Sequence, residues 1–143
     1  MPTDNCGARF KASFGNDDDA EVILNGLDTY SEAYEQKCEN VGFNMKLVGK
    51  DGGFAAGVTA DADKGEIASV NALFVEEPLR RKGLGTFLLK EAERFAKENN
   101  ASMVLTNAGD WNVGFFKKNG YLIRGELKDV PEGHNCYELY KMI

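Results

Sequence analysis

The alternation of apolar and polar residues becomes regular after residue 42. Phe43, Met45 and Leu47 alternate with polar residues, which predicts a strand with one buried face. The segment 50–53 that follows predicts a hairpin turn, because Asp-Gly and Gly-Gly supply the positive φ angles that such turns need. Further strands are predicted from Phe54 to Ala60 and from Glu66 to Val75, so these three strands should form an antiparallel meander.

Helices and strands alternate in the rest of the chain. Leu84, Leu88, Ala92 and Phe95 recur at helical spacing, which predicts an amphipathic helix that ends at Asn99-Asn100. The remaining predicted elements are a strand at 102–106, a helix at 110–118 and strands at 121–127 and 136–142. This order predicts an α+β fold, in which helices flank a central, largely antiparallel mixed sheet.

The first forty residues carry a weaker pattern. Residues 8–14 predict a short strand, and the acidic segment 15–19 is typical of a helix N-terminus. Gly26 is the predicted end of that helix. The shape of residues 28–40 stays open at this point.

Composition narrows the class of protein. The 143 residues are 43% apolar and 28% charged, which predicts one globular domain over residues 1–143. A net charge of −6 argues against nucleic acid as a partner. We expect no membrane contact, and a cytoplasmic location, because the sequence has no long apolar run and no signal-peptide pattern. One histidine and three separated cysteines, Cys6, Cys38 and Cys136, predict no metal site.

Three cations lie just before the amphipathic helix. Arg80, Arg81 and Lys82 precede a helix N-terminus that already carries about half a positive charge, an arrangement that an anion would stabilise. Gly83 and Gly85 lack a Cβ, so a bulky anion could approach the free amides of the first turn. The alternative is a solvated basic loop with two turn glycines.

The spacing Arg-x-x-Gly-x-Gly, between an apolar strand and an amphipathic helix, resembles the acyl-CoA-binding motif of the GNAT-type N-acetyltransferases. Arg80, Gly83 and Gly85 occupy its defining positions. Residues 102–106 and 114–121 are similar to the next strand of that family and to its last helix with the Gly-aromatic exit. The resemblance covers about residues 42–143 and implies the GNAT fold, with a sheet that splays open at the acyl-CoA site.

The resemblance implies transfer of an acetyl group from acetyl-CoA, as cosubstrate, to a primary amine of a small molecule or peptide. The amine would attack directly in a ternary complex, without metal. The pantetheine arm would pair with the strand that ends at Val75, whose N–H would face the thioester oxygen, and the pyrophosphate would rest on the amides of residues 81–86. The implied cofactor-binding residues are Leu73, Phe74, Val75, Arg80, Arg81, Lys82, Gly83, Leu84, Gly85 and Thr86.

The proton-transfer groups are less well defined. Phe116 occupies the position of the family's tyrosine acid, so that assignment fails and the ring is either core or a sign of a changed mechanism. Asn71 is a candidate for orienting the acceptor or a water; with Ser69 it should share a face with Leu73 and Val75 if no bulge intervenes. The sole histidine, His134, is a candidate base, although an ordinary surface role is the alternative. Glu66, on the opposite face of that strand, is a weaker candidate and is more typical of a solvated charge.

The acceptor stays open. An acidic chain favours a cationic amine, but solubility explains the same charge. Tyr30 is either part of an acceptor pocket or a packing residue, and a homodimer, as in several family members, is a further open expectation. The main alternative function is a non-catalytic acyl-CoA-binding sensor or partner module, and a nucleotide-phosphate binder is a weaker one.

Overall fold

In the computed structural model of the chain, the described residues are 9–34, 39–63 and 65–143. The chain divides into two compact units, residues 1–37 and residues 38–143. A single domain over 1–143 stays a prediction.

The N-terminal unit contains one helix in its described part, α1 (Asp17–Ser31). A capping box starts it: the Asn16 side chain accepts a hydrogen bond from the Asp19 N–H at 3.0 Å, and Asp19 Oδ2 accepts one from the Asn16 N–H at 2.8 Å. The predicted end at Gly26 is wrong, because the helix continues through this glycine. The predicted strand at 8–14 is also wrong for its described part, where only Lys11 forms an isolated bridge; Ala8 lies outside the described residues.

The C-terminal unit is a six-stranded sheet with two helices. Its elements are β1 (Val41–Val48), β2 (Phe54–Ala62), β3 (Ile67–Val75), a 3-10 turn (Glu77–Leu79), α2 (Leu84–Glu98), β4 (Met103–Gly109), α3 (Val113–Lys118), β5 (Leu122–Leu127) and β6 (Cys136–Met142). The strand order is β1-β2-β3-β4-β6-β5, and every neighbouring pair is antiparallel except β3–β4. The predicted α+β class with a largely antiparallel mixed sheet is confirmed.

One face of the sheet is covered by α2. The helix buries Leu88, Leu89, Ala92 and Ala96 against β2 and β3. The facing strands carry buried alanines, including Ala56 and Ala60. Their side chains are short, so the helix can pack close to the sheet. This packing fixes the N-terminus of α2 beside the end of β3.

The parallel pair β3–β4 is short. Its ladder has three partners, Ile67–Met103, Ala68–Val104 and Ser69–Leu105, although both strands continue beyond it. At the next position the buried Thr106 hydroxyl donates to the Val70 carbonyl at 3.1 Å. At this position a side-chain hydrogen bond takes the place of the backbone hydrogen bonds between β3 and β4. The two strands therefore splay apart beyond it, as expected from the family resemblance.

A β-bulge lies in β3 just past this point. Thr59 of β2 pairs with Ala72 and Ala60 pairs with Val70, which leaves Asn71 as an extra residue. Because a bulge reverses the alternation, Val70 is buried before it and Leu73 is partly buried after it. Ser69 and Asn71 were expected to share the face of Leu73 and Val75 only if no bulge intervened, and the bulge at Asn71 removes this condition.

Candidate active site

The N-terminus of α2 presents free backbone amides. Its N-cap is Gly83, in the left-handed region at φ 84° and ψ 5°, and it makes no side-chain cap hydrogen bond. The first turn contains no acidic residue, and the first helical bond runs from the Phe87 N–H to the Gly83 carbonyl. The amides of Leu84, Gly85 and Thr86 therefore have no acceptor within the helix, which makes this end suited to an anion.

Arg80 connects this loop to the end of β3. Its Nε donates to the Val75 carbonyl at 2.9 Å, and its guanidinium carbon lies 5.8 Å from the centre of the Phe74 ring. Arg81 follows in the left-handed region at φ 65°. Arg81 and Lys82 are exposed, and neither forms an ion pair with another residue that the structure describes. The loop thus holds one anchored and two available cations.

Gly83 and Gly85 are needed for different reasons. A Cβ on Gly83 would meet nothing within 4 Å, so this glycine serves the positive φ. A Cβ on Gly85 would lie 3.2 Å from Phe115 Cε1 and 3.6 Å from Leu73 Cδ2. The missing Cβ of Gly85 thus makes room for α3 and for β3, and its role in admitting an anion stays a prediction.

The amide of Val75 faces the splayed side of β3. The Glu76 N–H donates to the Ala55 carbonyl at 2.9 Å, so Ala55 and Glu76 form a hydrogen-bonded pair. The alternation of antiparallel ladders makes the next pair, Ala56–Val75, a non-hydrogen-bonded one. The Val75 N–H and carbonyl consequently point away from β2, toward the side where the β3–β4 ladder has ended. The contact of the carbonyl with Arg80 agrees with this direction.

A cavity of about 240 Å³ lies where β3 and β4 diverge. Its lining comes from β3, β4, β5 and β6: Ser69, Val70, Asn71, Leu105, Thr106, Asn107, Arg124, Glu138 and Leu139. The bulge in β3 gives Asn71 its place there. Of the two catalytic candidates from sequence, Asn71 is the one in this cavity.

His134 lies at the edge of the sheet where β3 and β4 end. Its Nδ1 is 2.9 Å from Asp110 Oδ1, directly after β4, and the Asn135 N–H donates to Asp110 Oδ2 at 3.2 Å. The His134 hydrogen bond holds the pKa of the Asp110 carboxyl below its ordinary value. An ionised carboxylate only accepts hydrogen bonds, so Nδ1 carries a proton, and in the neutral imidazole Nε2 is the acceptor. The Trp111 ring meets the imidazole edge-on, with the ring centres 5.4 Å apart.

The other candidates lie elsewhere. Glu66 precedes β3 at the end opposite Val75, and its carbonyl accepts from the Ser102 and Met103 amides. Phe116 is a core residue, 4% exposed, with ring centres 5.1 Å from Phe115 and 5.6 Å from Tyr121. The Tyr121 hydroxyl donates a hydrogen bond to the Glu93 carboxylate. The pKa of Tyr121 is raised far above its ordinary range, first by burial and then by this carboxylate.

Tyr30 belongs to α1 and is exposed, with its ring centre 6.1 Å from that of Tyr34. Its place in an acceptor pocket stays a prediction. Cys136 is a partly buried free thiol, whereas Cys6 and Cys38 lie outside the described residues.

The described part of the chain contains neither a metal-binding cluster nor a membrane-spanning helix. In the ranges 9–34, 39–63 and 65–143, no group of three or more His, Cys, Asp or Glu side chains is arranged to hold a metal ion. Within the same ranges, none of the helices combines the length and the apolar character needed to cross a membrane.

Comparison with known proteins identifies the family. The sequence model of the acetyltransferase (GNAT) family matches residues 17–121, more than half of the chain. The chain belongs to the GNAT family. This membership implies acyl transfer from acetyl-CoA as the class of reaction and confirms the resemblance seen in the glycine loop.

Individual GNAT relatives agree. An uncharacterised N-acetyltransferase of Methanocaldococcus jannaschii is 31% identical over 97 residues, which cover 64% of this chain and only 41% of that protein. The crystal structure of a Bacillus cereus acetyltransferase has a TM-score of 0.84 at 26% identity and covers 92% of this chain and 96% of its own. A Bacillus anthracis structure in complex with acetyl coenzyme A has a TM-score of 0.61 at 18% identity and covers 78% and 67%. The predicted GNAT fold is confirmed.

Three features of this GNAT site were missed in the sequence. Asp110 orients His134, Thr106 caps the end of the parallel ladder, and the bulge moves Asn71 into the cavity. An acidic residue directly after a buried strand was the one available signal, for Asp110. The other two depend on strand register, which residue types do not specify.

Proposed function

We propose that the chain transfers an acetyl group from acetyl-CoA to a primary amine of a small molecule or peptide, by direct attack in a ternary complex. The observation that carries the proposal is the free N-terminus of α2 beside the splayed end of β3. Backbone amides, cations and an outward-facing Val75 N–H meet at this place. A solvated basic loop with a turn glycine would explain the left-handed N-cap at Gly83, but not the anchor from the Arg80 side chain to the Val75 carbonyl.

Acetyl-CoA would bind the loop through the phosphate groups of its CoA part. The amides of Leu84, Gly85 and Thr86 would donate to the diphosphate, and Arg81 and Lys82 would offset its charge. Arg80 holds the loop against β3, so the phosphate site and Val75 keep a fixed separation. Leu73 and Phe74 would flank the pantetheine arm, and the unpaired edge of β3 would bind its amides.

The chain's own groups account for the chemistry. Acetyl-CoA supplies the thioester that the amine attacks. As the new C–N bond forms, the carbonyl electrons move to oxygen, where the Val75 N–H donates to the developing negative charge; one such donor is typically worth about 2.7–4 kcal/mol. The C–S bond then breaks, and its electron pair leaves on sulfur. The nitrogen gives up the extra proton that attack left on it, and the thiolate takes up this proton directly or through water. A thiolate with a pKa of about 8.5, by analogy with cysteine, is a tolerable leaving group without an acid at Phe116.

His134 is the base in this proposal. An alkyl ammonium must lose a proton before it attacks, and Nε2 of His134, kept free by Asp110, would take it directly or through one water. Asn71 would orient the acceptor or that water, because a carboxamide hydrogen-bonds but does not take up a proton at neutral pH. Asp110 acts through His134 and is a positioning residue.

The test is CoA release from acetyl-CoA across a panel of primary amines, followed with a thiol reagent, together with a calorimetric titration of CoA. We expect binding and amine-dependent release. Binding without release for any amine would favour the alternative, a non-catalytic acyl-CoA-binding module. Its support is the absence of a tyrosine at position 116 and of an acidic residue at position 71. No binding would overturn both functions.

A further inference from the structure

Two β-bulges direct their extra residues into the same cavity. The first is the bulge at Asn71 in β3. The second lies in β5, where Ile123 pairs with Leu139 and Gly125 with Glu138, which leaves Arg124 as the extra residue. Both Asn71 and Arg124 line the cavity between the diverging strands. Bulges are common beside active sites because they re-aim a side chain, so two of them at one cavity indicate a built site.

The side chains at this cavity can recognise both charges of a small ligand. Arg124 Nε lies 3.8 Å from Glu138 Oε2, and the two side chains are 60% and 61% exposed. Charge-assisted hydrogen bonds are about 2.7–2.9 Å long, so this ion pair is loose and leaves both groups with unused capacity. Ser69, Asn71 and Asn107 add neutral polar groups, while Val70, Leu105 and Leu139 supply the apolar part of the lining.

We propose that this cavity binds the acceptor and that the acceptor is an amino acid. Its carboxylate is bound by Arg124, its ammonium faces Glu138, and its α-amine is the group that is acetylated. The inference rests on the proposed function above. Ligand cavities usually measure about 300–1,000 Å³, so the 240 Å³ found here fits a single amino acid better than a longer peptide.

The two charges lie on different strands of the sheet. Glu138 of β6 pairs with Asn107 of β4, and β4 is one of the two strands that diverge at the cavity. An ammonium that faces Glu138 therefore lies along β4 past Leu105, where β4 has left β3. Arg124, on β5, lies one strand farther from β3 than Glu138. The carboxylate is thus held one strand farther than the amine from β3, the strand that ends at Val75.

The experiment compares amino acids with the amines that lack only the carboxylate. The pairs are leucine with 3-methylbutylamine and phenylalanine with 2-phenylethylamine, each assayed for kcat/KM by CoA release. Each pair gives a preference ratio, and the effect of a variant is the change in that ratio, so that differences in amine basicity cancel. We expect Arg124→Gln to lower the ratio about 10-fold or more, mainly through KM of the amino acid, because an ionic hydrogen bond is lost.

Arg94→Gln is the matched control. Arg94 is an exposed arginine on α2 that pairs with Glu91 and does not line the cavity, so this variant should keep the wild-type ratio. Arg124→Lys should keep part of the preference, since the positive charge remains. Thermal unfolding of each variant checks that the fold is retained.

The outcomes separate this inference from the proposed function. If both members of each pair react and Arg124→Gln leaves the ratio unchanged, the transferase stands and the amino-acid acceptor is overturned. If no amine releases CoA, the proposed function fails, and leucine binding is then measured by calorimetry. Leucine binding that Arg124→Gln abolishes would still support the cavity as an amino-acid site, and its absence in the wild type would overturn it.

Discussion

Gly83 allows the charge at the N-terminus of α2 to be changed without changing the shape of the loop. It lies in the left-handed region, and a side chain there meets nothing within 4 Å. A non-glycine residue pays about 1–2 kcal/mol in this region, and Asn and Asp tolerate it best. Gly83→Asn and Gly83→Asp therefore carry the same strain and nearly the same volume, and they differ in one negative charge.

The two variants should rank in opposite order in stability and in CoA binding. A carboxylate at a helix N-terminus stabilises the helix by about 0.3–1 kcal/mol, so Gly83→Asp should unfold at a slightly higher temperature than Gly83→Asn. Against a bound phosphate the same carboxylate is repulsive, by about 4 kcal/mol at about 4 Å near a protein surface before salt screening. Even a third of this repulsion weakens CoA binding about tenfold.

The assay is a calorimetric titration of CoA into both variants, at low and at moderate salt, with thermal unfolding in parallel. Gly52 provides the control, because it has φ +83°, also faces open space and lies in the hairpin turn before β2. Gly52→Asp should bind CoA like the wild type. Equal CoA affinities in Gly83→Asn and Gly83→Asp would refute the reasoning, since the added charge would then not meet the ligand.

Three further substitutions test the framework of the site. Gly85→Ala should cost about 1–3 kcal/mol of stability, because the new Cβ crowds Phe115, as a chemical denaturation curve would show. Thr106→Val should cost about 1–3 kcal/mol, measured in the same way, since the buried Val70 carbonyl loses its donor. The pKa of the Asp110 carboxyl is lowered in the folded chain. The ionised carboxylate therefore stabilises the fold at pH values above 3.8, its ordinary pKa, and this stabilisation is lost as the pH falls through the lowered pKa. In Asp110→Asn, melting temperature should fall less steeply over this acid range.

The first two of these substitutions have a control variant, and the third has an outcome that would contradict it. Gly114→Ala meets nothing within 4 Å and lies in α3, so it should gain up to about 1 kcal/mol; a loss equal to that of Gly85→Ala would refute the crowding argument. Thr106→Ser keeps the hydroxyl and should retain more stability than Thr106→Val. An acid profile of Asp110→Asn identical to that of the wild type would show that the contact with His134 does not stabilise the fold.

Periodic patterns made most of the sheet and both of its helices predictable. The alternation at 43–47 and the glycine turn that follows mark the meander, and the spacing of Leu84, Leu88 and Ala92 marks the buried face of α2. The pair Asn119-Gly120 predicts the end of α3, and Gly120, at φ 90°, does follow its last turn. Charge, and not periodicity, singled out the cation-and-glycine loop, because three cations at a helix N-terminus are unfavourable without an anion. The binding of an anion there stays a prediction.

Features set by tertiary register were not predictable. The bulge at Asn71 depends on how β2 and β3 pair, and it reversed the expected faces of Ser69 and Leu73. Asp110 and His134 are 24 residues apart and meet because β4 pairs with β6. In α1, helix formation continues through Gly26, whose cost of about 1 kcal/mol against alanine is small enough for the capped helix to absorb.

Binding of CoA at the N-terminus of α2 is tested most directly by ¹⁵N NMR of the amides there during a titration with CoA. We expect the resonances of Leu84, Gly85 and Thr86 to move together and to saturate with the calorimetric affinity, because their N–H groups donate to the diphosphate. We expect pantetheine, which lacks the diphosphate, to leave them in place. Resonances that stay unmoved at saturating CoA would show that the diphosphate does not bind at this helix N-terminus.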